Sequence, residues 1–521
     1  MPIYGPELNE PVSLLDFFAA GLESEPDSPA LVSADKSYTW RELEEASGRL
    51  ADNYLALGLK PGDRVASLMP NTTEILVHYA ACLKAGLVIT PLNYRYTAKE
   101  IDHALEVSDA SILIAHAERG RDISESKMAP RLPLGLVRCH AKDSETPTLE
   151  NLIESGKYTA HVHPHDPEDP AIIFFTSGST GKPKGVTHTY NTLGWMIASN
   201  SAGYDINKGD VVLPGSSLSH VGGMLFGLTG LSVGARVVVA RTFDAEEILH
   251  LLHNHRPTFL NMLPAALFAL VREHGAKRDD FRSLKHCRSA GDKISSVLED
   301  DFTELTGFPI CEAWGMSEVG TATNNPTSSP HLGSVGLLNP SYKASIRNEK
   351  GEEVSPGEEG ALWIKSPTMT VGYWANREAT KKTIREGWLD TGDVMYADDN
   401  GYLWFRGRKK QIIVHDSSNI SPQEVEESLL AHDAVENAGV VGIHDLVHGE
   451  NVRAYVTLIA GAQRPTSQEL IRLSRKSVGY KAPEEIVFLK EMPFTATGKV
   501  DRTTLKRMAE EQHENHLDHI T

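Results

Sequence analysis

The chain has 521 residues, 40% hydrophobic and 23% charged, with a formal net charge of −19. That length exceeds one compact core and predicts about two to four domains or subdomains of ordinary globular composition. The negative balance argues against nucleic acid as a partner, so an anionic small substrate has to be met by local cations; plain solubility is the competing reading of the charge.

The N-terminus, MPIYGPELNEPVS, lacks a basic run followed by an apolar one, so no signal peptide is expected, and no long apolar run predicts a membrane span. Thr39 with Glu42 forms a capping-box pattern. Leu43, Ala46, Leu50, Tyr54 and Leu57 follow at helical spacing until Gly58. The turn Pro61-Gly62-Asp63 leads into a short buried-strand pattern at 64–69. A proline- and acid-rich connector at 161–170 precedes the apolar run 171–175, fit for a central strand. Further strands are predicted at 211–213, 236–240, 258–263 and 288–290, with helical stretches between several of them, which is the pattern of α/β layering.

From about 341 to 408, short strand patterns sit between Gly, Pro and Asp turns and predict a β-rich subdomain. Beyond Arg408 the character changes. Residues 411–414 are strand-like. Ser421-Pro422-Gln423-Glu424 supplies an N-cap, a proline at the first helical position and a capping-box acid. That helix is predicted to end near His432, before a strand at 438–443. The fold class is therefore α/β: a large N-terminal domain, 1–408, of layered α/β subdomains plus a β-rich subdomain, then a small α+β domain, 409–521. Cys82, Cys139, Cys287 and Cys311 make no disulfide or zinc spacing and predict a reducing, cytoplasmic compartment. The histidines at 161, 163 and 165 and at 250, 253 and 255 read as linker and helix residues rather than metal ligands.

The sharpest chemical signal is Thr176-Ser177-Gly178-Ser179-Thr180-Gly181-Lys182-Pro183-Lys184-Gly185, directly after the 171–175 run. Its glycines let backbone N–H groups approach a ligand, its hydroxyls can donate to phosphate oxygens, and Lys182 and Lys184 supply positive charge. It is not a Walker P-loop, because the glycines are too close together and Pro183 follows Lys182. A flexible surface loop is the bland alternative.

The segment resembles the phosphate-binding loop of the adenylate-forming superfamily, which holds acyl- and aryl-CoA synthetases, luciferases and nonribosomal-peptide adenylation domains. Further motifs follow in order, and the resemblance spans about residues 35–506, closest to an acyl-CoA synthetase. Glu312-Ala313-Trp314-Gly315-Met316-Ser317-Glu318 resembles the family's aromatic-Gly-x-Thr-Glu motif, with Trp for the usual Tyr and Ser for the usual Thr. The resemblance implies that Trp314 flanks adenine, Ser317 touches the α-phosphate and Glu318 holds Mg²⁺. Ala290 and Gly291 would form the floor of the adenine pocket, Asp393 of Thr391-Gly392-Asp393 would accept from the ribose hydroxyls, and Arg408 would reach ribose and phosphate. Lys499, in Pro493-Phe494-Thr495-Ala496-Thr497-Gly498-Lys499, matches the family's catalytic lysine, and Lys410 its hinge, which joins the two domains.

For the acid, the resemblance implies that His220 gates the carboxylate end, with Met224, Met262, Gly315 and Val319 forming an apolar wall; an ordinary packed histidine is the alternative reading of His220. Histidine where amino-acid-activating relatives carry Asp argues for a fatty or aromatic acid. Ser417, Ser418, Tyr480 and Lys481 fall at the tunnel for CoA, with Ser417 replacing a usual glycine. The implied reaction uses ATP, Mg²⁺ and CoA as cofactors and a carboxylic acid as substrate, and it is compatible with a homodimer. The competing readings are an adenylating enzyme that loads a carrier-protein thiol and a non-catalytic nucleotide-binding module.

Overall fold

The computed structural model describes residues 2–141, 147–160, 162–176, 183–242, 244–290, 294, 296–409, 411–415, 418–445, 449–495 and 498–517. Thr39 and Glu42 cap the helix Trp40–Ala56 reciprocally, as the sequence predicts. The run after the turn becomes the strand Arg64–Leu68, which pairs in parallel with Val88–Pro91 on one side and Ile112–His116 on the other. The first sheet continues through Leu136–Cys139 at one edge. At the other come Pro170–Thr176, then the antiparallel Lys184–Thr189 and finally Gly372–Tyr373.

The second sheet runs Cys311–Ala313, His286–Ala290, Phe259–Met262, Val211–Gly215, Arg236–Val238, Pro29–Val32 and Ser37–Thr39, parallel except for its last pair. Between the two sheets lie Thr73–Lys84, buried at every position, and the apolar helix Val221–Ser232. Their missing polar face follows from this position, because the core around them draws Val65, Ile89 and Ile172 from one sheet and Leu31, Val212 and Phe259 from the other. The outer faces of the sheets have separate apolar clusters.

The β-rich subdomain is a third sheet built on Lys343–Arg347, Gly360–Lys365, Trp388–Ala397 and Leu403–Arg408. Trp388–Ala397 alternates buried and half-buried residues, the signature of a strand with one face on a core. Two of its features lie outside the sequence reading. Ile3–Tyr4 adds an edge strand from the N-terminus, and Arg377–Thr383 is a helix capped by Asn376.

The last sheet carries Ser418–Ile420, Ile413–His415, Gly449–Leu458, Val435–Asp445 and Glu485–Phe488, with the helices Pro422–Leu430, Ser467–Val478 and Arg502–Leu517. Ser421 caps the first of these, as predicted. Three boundaries differ. The strand expected at 411–414 starts at Ile413, because the Gln411 and Ile412 N–H groups turn back to the Arg408 carbonyl. The strand expected at 438–443 runs from Val435 to Asp445, extended by pairing with Gly449–Leu458. The helix stops at Leu430. Glu426, 6% exposed, accepts from the Val440 N–H and from Arg502, tying helix, sheet and final helix together. All four cysteines are free and buried. Among the described residues no helix is long and apolar enough to cross a membrane.

Candidate active site

The chemistry gathers where the second sheet meets the β-rich subdomain, at the carboxyl ends of its parallel strands, the usual place for a ligand in an open α/β sheet. Cys311–Ala313 delivers Trp314. The chain then folds into a tight hairpin in which Gly315 faces Thr321 and Met316 faces Gly320. Gly320 sits at φ +77, and a Cβ on Gly315 would lie 2.4 Å from the Gly320 carbonyl oxygen, so both glycines are required by the turn. At its tip are Ser317, partly exposed, and Glu318, 7% exposed. Backbone staples hold the tip: Thr370 N–H donates to the Glu318 carbonyl at 2.7 Å, and the Thr368 hydroxyl donates to the Val319 carbonyl at 2.9 Å.

Glu318 accepts a hydrogen bond from the Tyr373 hydroxyl at 2.8 Å. Burial pushes its carboxyl above the ordinary value, against the pull of Tyr373 and Arg408. Among the described residues no cation lies within ion-pairing distance of it. A buried carboxylate without a cation fits a hard divalent metal, and a single protein carboxylate completed by phosphate oxygens and water is a common Mg²⁺ arrangement.

Asp393 lies in the strand Trp388–Ala397, directly across from Arg408. The Thr391 hydroxyl donates to the Leu362 carbonyl and accepts from the Asp393 N–H, which fixes the Thr-Gly-Asp turn. Asp393 is 1% exposed. Its Oδ2 accepts from the Trp314 indole at 2.8 Å, and its Oδ1 is 3.0 Å from Arg408 Nε. Burial raises its carboxyl, while Arg408, Trp314 and Lys499 oppose the rise.

Thr176 and Lys184 pair across adjacent strands, so the two ends of the glycine-rich segment are held side by side. Lys184 Nζ lies 5.0 Å above the Tyr373 ring, the same tyrosine that bonds Glu318. Ser177, Gly178, Ser179, Thr180, Gly181 and Lys182 lie outside the described residues, as do Gly291, Lys410 and Ser417. Ala290 ends its strand opposite Ala313, and Glu312 beside it is 5% exposed.

His220 occupies the N-cap position of Val221–Ser232 without a capping bond from its side chain, and its Nε2 meets Asn93 Nδ2 at 3.1 Å. Burial, then the charge of Lys499, depresses it to about 4, so it is neutral at physiological pH. Lys499 itself follows a turn in which Thr495 N–H donates to the Lys499 carbonyl and Gly498 adopts φ +82. A Cβ on Gly498 would lie 3.3 Å from Leu263, at the end of a strand of the second sheet. The turn from the last domain therefore closes over the carboxyl ends of that sheet, and the charge of Lys499 acts on both His220 and Asp393.

The acyl and CoA positions are less open. Met224 and Val319 are 0% exposed, and Met262 1%, each packed in a core cluster. Lys481 is held by Glu424 at 2.8 Å. Ser418 begins a strand facing His415.

Sequence reasoning missed three residues. His188, fully buried and depressed to about 4 by burial, sits 2.7 Å from the Ser317 carbonyl through Nε2. As the neutral Nε2–H tautomer it donates there and fixes the residue before Glu318. Its signal was present: a histidine at an inward position of the strand that follows the glycine-rich segment. Tyr373 and Asn93 gave none, since their partners are remote in sequence.

Two buried carboxylates, Glu318 and Asp393, thus gather at the carboxyl ends of the second sheet with the glycine-rich segment's end and the charge of Lys499 nearby. The chain belongs to the AMP-binding enzymes: that family's profile matches residues 18–374, and the profile of the AMP-binding enzyme C-terminal domain matches 424–499. It is 31% identical to a long-chain-fatty-acid–CoA ligase of Bacillus subtilis (strain 168), over 94% of this chain and 93% of that one. It is 30% identical to a feruloyl-CoA synthase of an Amycolatopsis species, over 92% and 96%. Among solved structures, a benzoate CoA ligase from Burkholderia xenovorans LB400 superposes with a TM-score of 0.86 at 28% identity, covering 95% of this chain and 99% of that one.

Proposed function

We propose that this protein activates a fatty or aromatic carboxylic acid with ATP and passes the acyl group to CoA, with Lys499, Glu318, Asp393, Arg408 and the glycine-rich segment as its working parts. In the first half-reaction a carboxylate oxygen of the acid attacks the α-phosphorus of ATP. The bond to the β-phosphate oxygen breaks, and pyrophosphate leaves. Negative charge builds on the equatorial oxygens and is offset by Lys499. Asp393 and Arg408 hold the ribose, Trp314 flanks the base, Ser317 meets the α-phosphate, and Lys184 with residues 176–182 holds the outer phosphates. Glu318 would hold Mg²⁺, which would supply positive charge against the phosphates. In the second half-reaction the CoA thiol attacks the acyl carbon and AMP departs, yielding the acyl-CoA.

The observation that carries this reading is the convergence of Lys499, His220 and Asp393 within reach of one charge, although they stand far apart in sequence. His220 stands neutral at the position where amino-acid-activating relatives carry Asp, which favours a fatty or aromatic acid over an amino acid. The domain boundary is set at 408/409, with Lys410 as the hinge. Compartment is assigned as cytoplasmic on the four free cysteines. Partners are the acid, ATP and CoA, and sedimentation decides whether the chain is a homodimer. The test of function is acid-dependent ATP–pyrophosphate exchange over a panel of fatty and aromatic acids, followed by CoA addition. Exchange with no acid in the panel would return the chain to a nucleotide-binding module. Exchange without CoA-dependent AMP release would point to a carrier-protein thiol as the acceptor.

A further inference from the structure

Trp314 carries two chemically separate surfaces. Its ring face is the feature that flanks a base, and a Tyr or Phe ring supplies that equally well. Its N–H edge is particular to tryptophan and is already engaged: Nε1 donates to Asp393 Oδ2 at 2.8 Å, with both residues buried, Trp314 at 7% and Asp393 at 1% exposure. The backbone that carries the donor is held on both sides. Trp314 N–H donates to the Thr323 hydroxyl at 2.7 Å, and its carbonyl accepts from the Ala322 and Thr323 N–H groups at 3.0 and 3.1 Å. The other carboxylate oxygen is different. Oδ1 lies 3.0 Å from Arg408 Nε but, among the described residues, receives no well-aligned hydrogen bond. Its charge is compensated by Arg408, yet it keeps acceptor capacity that a ligand hydroxyl can use.

We infer that Trp314 is a positioning residue for the nucleotide ribose: its indole N–H occupies Oδ2 and fixes the Asp393 rotamer, so that Oδ1 is presented to the ribose hydroxyls. This rests on Asp393 being the ribose site. It adds that selectivity for ribo- over deoxyribonucleotides is set by the residue otherwise assigned to the base. The arrangement differs from that of an enzyme with tyrosine at this position, whose hydroxyl projects from the end of the ring rather than from its side.

The experiment is ATP–pyrophosphate exchange by the full-length enzyme with ATP, 2′-deoxy-ATP and 3′-deoxy-ATP. It compares the unsubstituted protein, Trp314→Phe, and protein in which Trp314 is replaced by benzothienylalanine, which keeps the fused ring and puts sulfur in place of N–H. Loss of a buried donor to a carboxylate predicts an ATP KM raised about tenfold, with kcat falling less than KM rises. The KM values for the deoxynucleotides should rise less, because each has already lost one of the hydroxyls that Asp393 would hold, so the preference for ATP drops severalfold in both substituted proteins. An equal rise for all three nucleotides would assign Trp314 to base stacking alone and overturn the inference. Unsubstituted enzyme that fails to prefer ATP would instead remove Asp393 as the ribose site. The benzothienyl protein keeps the test decisive if the smaller ring of Phe perturbs folding.

Discussion

The Tyr373 hydroxyl donates to Glu318 Oε1 at 2.8 Å, across 55 residues of sequence, and Lys184 stands over the same ring at 5.0 Å. Tyr373 thus couples the end of the phosphate segment to the proposed metal carboxylate. Tyr373→Phe removes that donor while keeping the ring under Lys184. The expected result is an MgATP KM raised about five- to thirtyfold, equivalent to about 1–2 kcal/mol. Burial already pushes the Glu318 carboxyl up and Tyr373 opposes it, so the loss should grow as pH is lowered. Exchange assays at several Mg²⁺ concentrations and pH values check this; an unchanged Mg²⁺ requirement would detach Tyr373 from the site.

Lys499 is the group from the last domain whose charge reaches both His220 and Asp393. Lys499→Ala should lower acyl-adenylate formation by about 10²–10³-fold, or about 3–4 kcal/mol. The thioester step starting from a supplied acyl-adenylate should be far less affected, because the role proposed for the lysine ends once pyrophosphate has left. Adenylation at the unsubstituted rate would exclude Lys499 from that step.

His220 and His188 are both held down to about 4 by burial, from an ordinary 6.5. The unfolded chain takes up a proton on each as pH falls through 6.5, whereas the folded protein does not. Their contribution to stability is therefore present above 6.5 and is lost as pH falls toward about 4. His220→Gln should flatten the decline of Tm over that window, measured without nucleotide. A slope as steep as in the unsubstituted protein would mean that His220 is already protonated in the fold.

What the sequence made legible was local. The Thr39–Glu42 cap, the Ser421-Pro422 helix start and the strand before Thr176 each depend on residues within a few positions of one another. The ordered motifs also led to Trp314, Glu318, Asp393 and Lys499 without coordinates. Illegible were the pairings set by distant strands. Nothing near Gly372–Tyr373 announces that it crosses to Lys184–Thr189 and brings a hydroxyl to Glu318. The bond from Trp314 to Asp393 joins residues 79 positions apart, brought together by the packing of different sheets. The Ile3–Tyr4 edge strand is too short to carry a periodic signal.

The proposed hinge makes a kinetic distinction. Arg408 belongs to the β-rich sheet, and Ile413 to the last one. Proline in the short connection between them restricts the backbone freedom that a rotation of the last domain requires. Lys410→Pro should slow thioester formation at least tenfold more than adenylation, read by single-turnover assays of each half-reaction. Equal losses in both would argue against a hinge at this position.

Glu318 offers a test in which stability and activity move in opposite directions. Burial raises its folded carboxyl above the ordinary 4.5. The folded state therefore favours the protonated acid, and that advantage, complete below 4.5, is lost as pH rises through the folded value. At pH 7 and above the ionised side chain is a liability to the nucleotide-free protein, and Glu318→Gln should melt at a higher temperature than the unsubstituted protein. The difference should shrink toward zero as pH falls below 4.5. MgATP should reverse the order, since it stabilises the protein that binds it by mass action and the variant lacks the carboxylate proposed to hold the metal. Adenylation by the variant should fall about 10²-fold or more. A variant that melts lower at pH 8 without nucleotide would mean that a protein cation neutralises Glu318 in the fold, leaving no reason for a metal there.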